Sequence, residues 1–207
     1  MAAMKLYYSD VLSPRKACAA ARYLAAPVEY VYLDLTKAEH RTPAMLAINP
    51  SGKVPTLVDG DRIVCEADAI ICHLSERMGA ALWPRECDDQ IEVVGWLSWN
   101  AMHFGRACGA LYFEHIIKPR FGIGPLDPAV ESEALAEFRR FAAVLDDRLG
   151  GRDWVMGDRL TVADFALAVA LPYAGAAHMP LDEFPALRRW HDRLDAFDAW
   201  RDPWPAR

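Results

Sequence analysis

The chain has 207 residues, of which 53% are hydrophobic and 25% are charged. This length and composition allow a sizeable core in one large domain or two small ones, and they exclude global disorder. The formal net charge of −6 disfavours a non-specific nucleic-acid binder, because such proteins carry a surplus of basic residues.

The composition also predicts a cytoplasmic protein without a membrane segment. The opening residues, MAAMKLYYSD, lack the apolar stretch of a signal peptide, and no apolar run approaches the ~20 residues of a membrane span. The cysteines are odd in number, irregularly spaced and without a CxxC pair, so we expect neither a disulfide framework nor a zinc knuckle. They are Cys18, Cys65, Cys72, Cys87 and Cys108.

Residues 4–79 alternate between strand-like and helix-like segments. MKLYY predicts a strand, and SPRKACAAARYLAA predicts a helix with Ser13 as its N-cap and Pro14 in its first turn. VEYVYLDL predicts a second strand, AEHRTPAMLAI a short irregular helix, and TLVDGDRIVC a hairpin that turns at Asp59-Gly60. ADAIICHLSERMG has helical spacing. The order β-α-β-α-β-β-α predicts a parallel strand pair extended by antiparallel edge strands, with helices packed on this small mixed sheet.

The rest of the chain is predicted to be all-α. Residues 80–89 are expected to link a domain at 1–79 to a helical domain at 90–207. The segment QIEVVGWLSWNAMHFGRACGALYFEHIIK predicts one long helix that ends near Pro119. Two amphipathic segments, AVESEALAEFRRFAAVLDDRLGG and PALRRWHDRLDAF, flank LTVADFALAVALPYAGAA, which is nearly all apolar, as a helix at the centre of a bundle is.

A capping box is predicted at Thr161 and Asp164. The S/T-x-x-D spacing before an apolar helix lets each side chain accept a hydrogen bond from the other residue's backbone N–H. Unsatisfied N–H groups at a buried helix end are costly, which favours a structural role for Asp164 over that of a catalytic acid.

Two short features leave functional and structural interpretations open. Pro55 at a strand start is either a plain turn proline or, if the Val54-Pro55 bond is cis, part of an unpaired edge that binds a peptide through its main chain. Glu66, just before the next helix, either caps that helix, as Asp68 also could, or accepts from a ligand ammonium while the helix start holds a ligand carboxylate.

Hydroxyl groups follow the first strand at Ser9 and Ser13. A hydroxyl at a strand-to-helix turn can face a ligand where the helix N-terminus stabilises an anion such as a thiolate, although Ser13 also fits the N-cap role. No histidine and aspartate stand at the spacing of a hydrolase triad. No metal site is expected, because the histidines show no HExxH or similar spacing. These are His40, His73, His103, His115, His178 and His191.

Two motifs in this order resemble the cytosolic glutathione S-transferases, and the bacterial members most closely. They are NPSGKVPTLVDGDRIVCEADAIICHL at 49–74 and WVMGDRLTVADFALA at 154–168. The resemblance spans essentially the whole chain and implies a thioredoxin-like α/β N-terminal domain followed by an all-α helical bundle domain.

The resemblance also implies a glutathione site. Val54 and the cis-proline Pro55 would bind the cysteinyl part, Lys53 would lie near the glycyl carboxylate, and Glu66 would hold the γ-glutamyl end. Ala67 stands where the family usually has serine, so only its backbone N–H remains for this contact.

The catalytic hydroxyl is expected in the loop after the first strand, whose spacing differs from the family pattern. Ser13 is the first candidate, with Ser9 or Tyr8 as alternatives, whereas Cys18 lies too far into the helix. The implied function is conjugation of the glutathione thiolate to an apolar electrophile by a cytoplasmic, homodimeric detoxification enzyme, with glutathione as co-substrate and no metal. The alternatives are a glutathione-binding or interaction module with little catalysis, or another glutathione-dependent reaction such as peroxide reduction, isomerisation or dehalogenation.

Overall fold

The computed structural model describes residues 4–206, which group into two compact units. One unit comprises residues 4–83 together with 197–206, and the other comprises residues 84–196. None of the helices in the described part of the chain combines the length and the apolar character that crossing a membrane requires.

The first unit has the predicted order of strands and helices. Its elements are β1 (Met4–Tyr8), α1 (Leu12–Tyr23), β2 (Val28–Tyr32), α2 (Pro43–Ile48), β3 (Thr56–Asp59), β4 (Arg62–Cys65) and α3 (Ala67–Arg77), with short 3-10 turns at Leu35–Lys37 and Glu39–Arg41. The strands lie in the order β2-β1-β3-β4, with β1 parallel to β2 and the other pairs antiparallel. The predicted α/β fold is therefore confirmed for this unit.

The core of this unit lies between the sheet and the helices α1 and α3. Alternate residues of β1, namely Met4, Leu6 and Tyr8, are buried, because successive side chains of a strand point to opposite faces. The alanine-rich centre of α1 is also buried, and its small side chains allow α3 to pack closely against it.

The hairpin differs from its prediction by one residue. Asp59 pairs with Arg62, so the turn is formed by Gly60 and Asp61, and Gly60 takes the positive φ of 61° that glycine tolerates. Only β4 is an edge strand of the hairpin, because β3 pairs with both β1 and β4.

The last described residues belong to the first unit, although the sequence analysis placed them in the helical domain. The short helix α10 (Asp198–Arg201) packs on α1, where Arg15 donates a 2.6 Å hydrogen bond to the Trp200 carbonyl. The Arg15 guanidinium also lies 4.5 Å from the centre of the Trp200 ring. The predicted linker at 80–89 stays a prediction.

The second unit is all-α. Its helices are α4 (Cys87–Met102), α5 (Phe104–Tyr112), α6 (Lys118–Phe121), α7 (Pro128–Arg148), α8 (Val162–Leu167) and α9 (Pro185–Asp195). A π-helical turn, Phe113–Ile117, joins α5 to α6, and 3-10 turns lie at Leu171–Tyr173 and Leu181–Glu183.

Two helix predictions in this unit were wrong in extent. The long helix expected up to Pro119 is interrupted at His103. Just after this interruption, Gly105 approaches the end of α4 so closely that a Cβ added to it would lie 2.7 Å from the Asn100 carbonyl oxygen. Pro119 does not end a helix, because it occupies the first turn of α6, where proline is tolerated. The apolar segment from Thr161 is buried as expected, but its α-helix covers only Val162–Leu167 before irregular turns follow.

Candidate active site

One cavity of about 360 Å³ in the first unit collects most of the predicted site residues. Three chain segments line it: the first turns of α1, the loop before β3, and the start of α3. The lining residues are Ser13, Lys16, Asn49, Lys53, Val54, Pro55, Glu66, Ala67 and Asp68. Two lysines face two carboxylates there, so the cavity suits a ligand that carries both signs of charge.

The loop before β3 presents free main-chain groups to this cavity. The Val54-Pro55 peptide bond is cis, and β3 begins only at Thr56. Within residues 4–206, neither the N–H nor the carbonyl of Val54 has a hydrogen-bond partner. Because main-chain polar groups need partners, Val54 is suited to binding a peptide-like ligand.

Asn49 holds this loop in place and was missed as a site residue by the sequence analysis. Its buried amide donates to the Lys53 carbonyl (3.1 Å) and to the Thr56 hydroxyl (2.9 Å), while its oxygen accepts from the Ser51 N–H (3.0 Å). The sequence showed Asn49 only as a helix stop before a proline, and no local pattern indicates these contacts.

Glu66 has an unusual backbone conformation directly before α3. Its φ of 67° and ψ of 124° lie in a region that side-chain-bearing residues rarely adopt. Glu66 occupies the N-cap position of α3 as the cap interpretation expects, but its exposed side chain makes no capping hydrogen bond. Backbone strain of this kind concentrates at ligand sites, where the surrounding structure maintains it.

A partly buried ion pair joins α1 to α3 beside the cavity. The ammonium of Lys16, which is 7% exposed, donates to the carboxylate of Asp68 in the first turn of α3. Asp68 is therefore engaged with Lys16, and the alternative that it only caps its own helix is not supported. Lys16 was not singled out from the sequence, because its partner lies 52 positions further along the chain.

Of the three predicted catalytic hydroxyls, Ser13 alone lines the cavity. Helix α1 starts at Leu12 with Val11 in the N-cap position, so the prediction of Ser13 as N-cap was wrong. The Ser13 side chain is instead exposed in the first helical turn, where free N–H groups and the helix dipole favour a nearby anion.

The two alternative hydroxyls are buried. Ser9 is 1% exposed, and Tyr8 packs among aromatic rings, 5.6 Å from Tyr32 and 6.1 Å from Trp204 between ring centres. Neither residue lines the cavity that Ser13 faces.

Models of both domains of one family match the chain. The glutathione S-transferase N-terminal domain matches residues 8–81, and the C-terminal domain of the same family matches residues 128–193. The chain is 32% identical over 200 residues to "Probable glutathione S-transferase GSTF2" of Oryza sativa subsp. japonica, covering 95% of this chain and 93% of the relative. The chain belongs to the glutathione S-transferase family. It is also 29% identical to the human "Glutathione S-transferase theta-2B", covering 83% of this chain and 71% of the relative.

Solved structures of the family share the fold of this member. A glutathione S-transferase-I bound with lactoylglutathione superimposes with a TM-score of 0.87 at 25% identity, covering 98% of both chains. A Burkholderia graminis transferase, solved with two glutathione molecules bound per subunit, superimposes with a TM-score of 0.85 at 23% identity, covering 97% of this chain and 87% of the other. The predicted family and fold class are thus confirmed, while the bacterial type stays a prediction.

The helical unit of this family member contains the capping box at Thr161 and Asp164. The fully buried Asp164 carboxylate accepts from the Thr161 N–H (2.8 Å), the Val155 N–H (2.9 Å) and the Trp190 indole N–H (2.9 Å). Burial raises the pKa of Asp164 to about 6, against the lowering effect of these hydrogen bonds. The Asp164 carboxylate joins three segments of the chain and is inaccessible to solvent. A structural role therefore suits Asp164 better than the role of a catalytic acid.

Proposed function

We propose that this family member is a glutathione transferase that activates the glutathione thiol at Ser13 and transfers the thiolate to an apolar electrophile. The observation that carries the proposal is the single cavity shared by Ser13, the free main chain of Val54 and the start of α3. The relatives, all named glutathione S-transferases, support the same enzyme class.

Glutathione fits the charges and the free donors of this cavity. Its γ-glutamyl carboxylate binds the free N–H groups of Ala67 and Asp68 at the start of α3, while Glu66 accepts from its ammonium. The cysteinyl main chain pairs with Val54, next to Pro55, and the glycyl carboxylate pairs with the Lys53 ammonium.

Activation of the thiol follows from the position of Ser13. A thiol reacts as its thiolate, so a group that stabilises the anion raises the reactive fraction at neutral pH. The Ser13 hydroxyl donates a hydrogen bond to the sulfur, and the N-terminal turn of α1 adds its dipole. The proton leaves to solvent. The sulfur then forms a bond to the electrophilic carbon of the second substrate, and the leaving group, a halide in the case of an aryl halide, departs with the electron pair of its bond to that carbon.

The remaining properties of the proposed enzyme follow the family resemblance. We place it in the cytoplasm as a homodimer with a role in detoxification, and we assign the choice of electrophile to the predicted helical domain at 90–207. Glutathione is the co-substrate, and the transfer step as proposed uses no metal.

Substitution of Ser13 tests the proposed role directly. We expect Ser13→Ala to lower kcat with an activated aryl halide by about 10²-fold, because it removes one donor to the developing anion. The glutathione Kd should change little, because the other contacts remain. Ser13→Thr, which keeps a hydroxyl, is the matched control and should retain more activity. Wild-type turnover by Ser13→Ala would contradict the assignment.

A second candidate function is a glutathione-binding or interaction module with little catalysis. The observation that favours it is Ala67, which brings no hydroxyl to the start of α3. Calorimetric titration with glutathione separates the two, since the transferase requires measurable binding. A panel of hydroperoxides, isomerisable substrates and organic halides distinguishes conjugation from other glutathione-dependent reactions.

A further inference from the structure

Three potential metal ligands meet in the helical unit, outside the cavity that contains Ser13. His115 lies in the π-helical turn, Glu131 in the first turn of α7, and His178 in the irregular segment before α9. One nitrogen or oxygen atom from each side chain lies within 4.8 Å of the others.

The imidazole of His115 is buried without a hydrogen bond at one of its nitrogens. Its side chain is 9% exposed, and its Nε2 atom lies 2.8 Å from the Glu131 carboxylate oxygen. This contact has the distance of an ion pair, but Nε2 of His115 makes no hydrogen bond. A buried imidazole nitrogen that makes no hydrogen bond and lies beside a carboxylate oxygen is suited to coordinating a metal ion together with that oxygen.

His178 completes the cluster from the solvent side. Its ring centre lies 4.2 Å from that of His115, and the planes are inclined by 33°. The residue is exposed and has a φ of 55°, a conformation that is uncommon for a residue with a side chain. The π-helical turn that carries His115 is also a rare conformation, and such turns occur frequently at functional sites.

We propose that His115, Glu131 and His178 bind one divalent first-row transition-metal ion such as Zn²⁺. Imidazole nitrogen and carboxylate oxygen are ligands that these ions prefer, and three protein ligands leave a position for water. In a tetrahedral site the ligand atoms stand about 3.3 Å apart, given metal–ligand distances of roughly 2.0–2.1 Å. The ligand atoms, which lie within 4.8 Å of one another, must therefore move closer together on binding, and His178 is the exposed residue of the three.

The neighbouring acid, Glu114, does not belong to the site. It is buried, accepts from the Lys118 ammonium (2.7 Å) and from the Asp127 N–H (2.8 Å), and is thereby engaged. Glu131 consequently provides the single negative charge of the site. The ion would connect the π-helical turn, α7 and the segment at His178, which are distant in sequence, and binding to the folded state alone would stabilise their arrangement.

Metal titration of the full chain, stripped with a chelator and free of any affinity tag, tests this proposal. We expect one equivalent of Co²⁺ to bind with a visible absorption band and to be displaced by Zn²⁺. His178→Asn and Glu131→Gln should each weaken binding by at least about 10-fold. At one fixed Zn²⁺ concentration, the Tm of the wild type should rise by more than the Tm of either variant. Circular dichroism verifies that the variants fold, which we expect because His178 is exposed.

Two control variants separate this site from others. His103→Asn removes an exposed histidine of the same unit outside the cluster and should bind metal like the wild type. Cys87→Ser removes an exposed thiol that is itself a potential metal ligand, and it should also bind normally. Absence of binding in the wild type, unchanged binding in the cluster variants, or loss of binding in either control would overturn the proposal.

Discussion

Replacing Asp164 with asparagine tests how the buried start of α8 is held. One carboxylate oxygen accepts from Val155 and Trp190 (both 2.9 Å), and the other accepts from the N–H (2.8 Å) and the hydroxyl (3.2 Å) of Thr161. Asparagine keeps one acceptor oxygen, so in either orientation its NH₂ group faces at least one buried N–H donor. We expect Asp164→Asn to lower the free energy of unfolding by about 1–3 kcal/mol, because at least one buried N–H donor loses its acceptor.

The pH dependence of this loss gives a sharper prediction. Burial raises the pKa of Asp164 from 3.8 to about 6, so between these values the folded state holds a proton that the unfolded chain has released. The stability of the wild type therefore falls as pH rises through this window and levels off above it. The shift corresponds to about 3 kcal/mol in total, of which about 2 kcal/mol falls between roughly pH 4.5 and pH 7. Asparagine does not titrate, so the deficit of Asp164→Asn should shrink by this amount as pH rises.

Denaturant unfolding at the two pH values, followed by tryptophan fluorescence, measures this deficit. Titration of all other groups is common to both proteins and cancels in the difference. Asp158→Asn, at an exposed position in the loop before α8, is the matched control and should show no such deficit. A deficit that grows towards neutral pH would refute the reasoning, since hydrogen bonding would then outweigh desolvation and lower the pKa of Asp164.

Three further predictions concern other parts of the chain. Gly105→Ala should lower the unfolding free energy by about 1–3 kcal/mol, because its Cβ would lie 2.7 Å from the Asn100 carbonyl oxygen. Gly109→Ala has open space around its Cβ and should raise the unfolding free energy by up to about 1 kcal/mol in the same denaturant assay. Glu66→Gly should be more stable than Glu66→Ala by about 1 kcal/mol, since glycine accepts the positive φ, while both weaken glutathione binding in calorimetry. Iodoacetamide followed by mass spectrometry should label the exposed Cys87 first, because burial raises the pKa of all four other thiols.

Much of the fold was predictable because its determinants are local. The β-α-β-α-β-β-α order follows from alternation, helical spacing and a glycine turn within a few residues. The capping box at Thr161 and Asp164 was predictable for the same reason, since its groups lie three residues apart. The predictions that missed depended on distant contacts or fine boundaries. Helix α1 starts one residue before Ser13. The long predicted helix is interrupted at His103, close to the point where Gly105 approaches Asn100.

The candidate site was predictable only in part. The resemblance named Ser13, Val54 and Glu66, which line the cavity together, but the roles of these residues in glutathione binding stay a proposal. Asn49 and Lys16 were not foreseen, because each owes its position to partners in another segment of the chain.

The sequence by itself determined the family, the kinds of elements and their order, because propensity, turn chemistry and capping act over a few neighbouring residues. The tertiary structure alone decided which polar side chains from distant segments of the chain meet. The ion pair of Lys16 with Asp68 and the cluster of His115, Glu131 and His178 join residues far apart in the chain. Such contacts arise only after apolar faces pack and bring separate elements together, and this packing leaves no periodic or spacing pattern in the sequence around the residues that it unites.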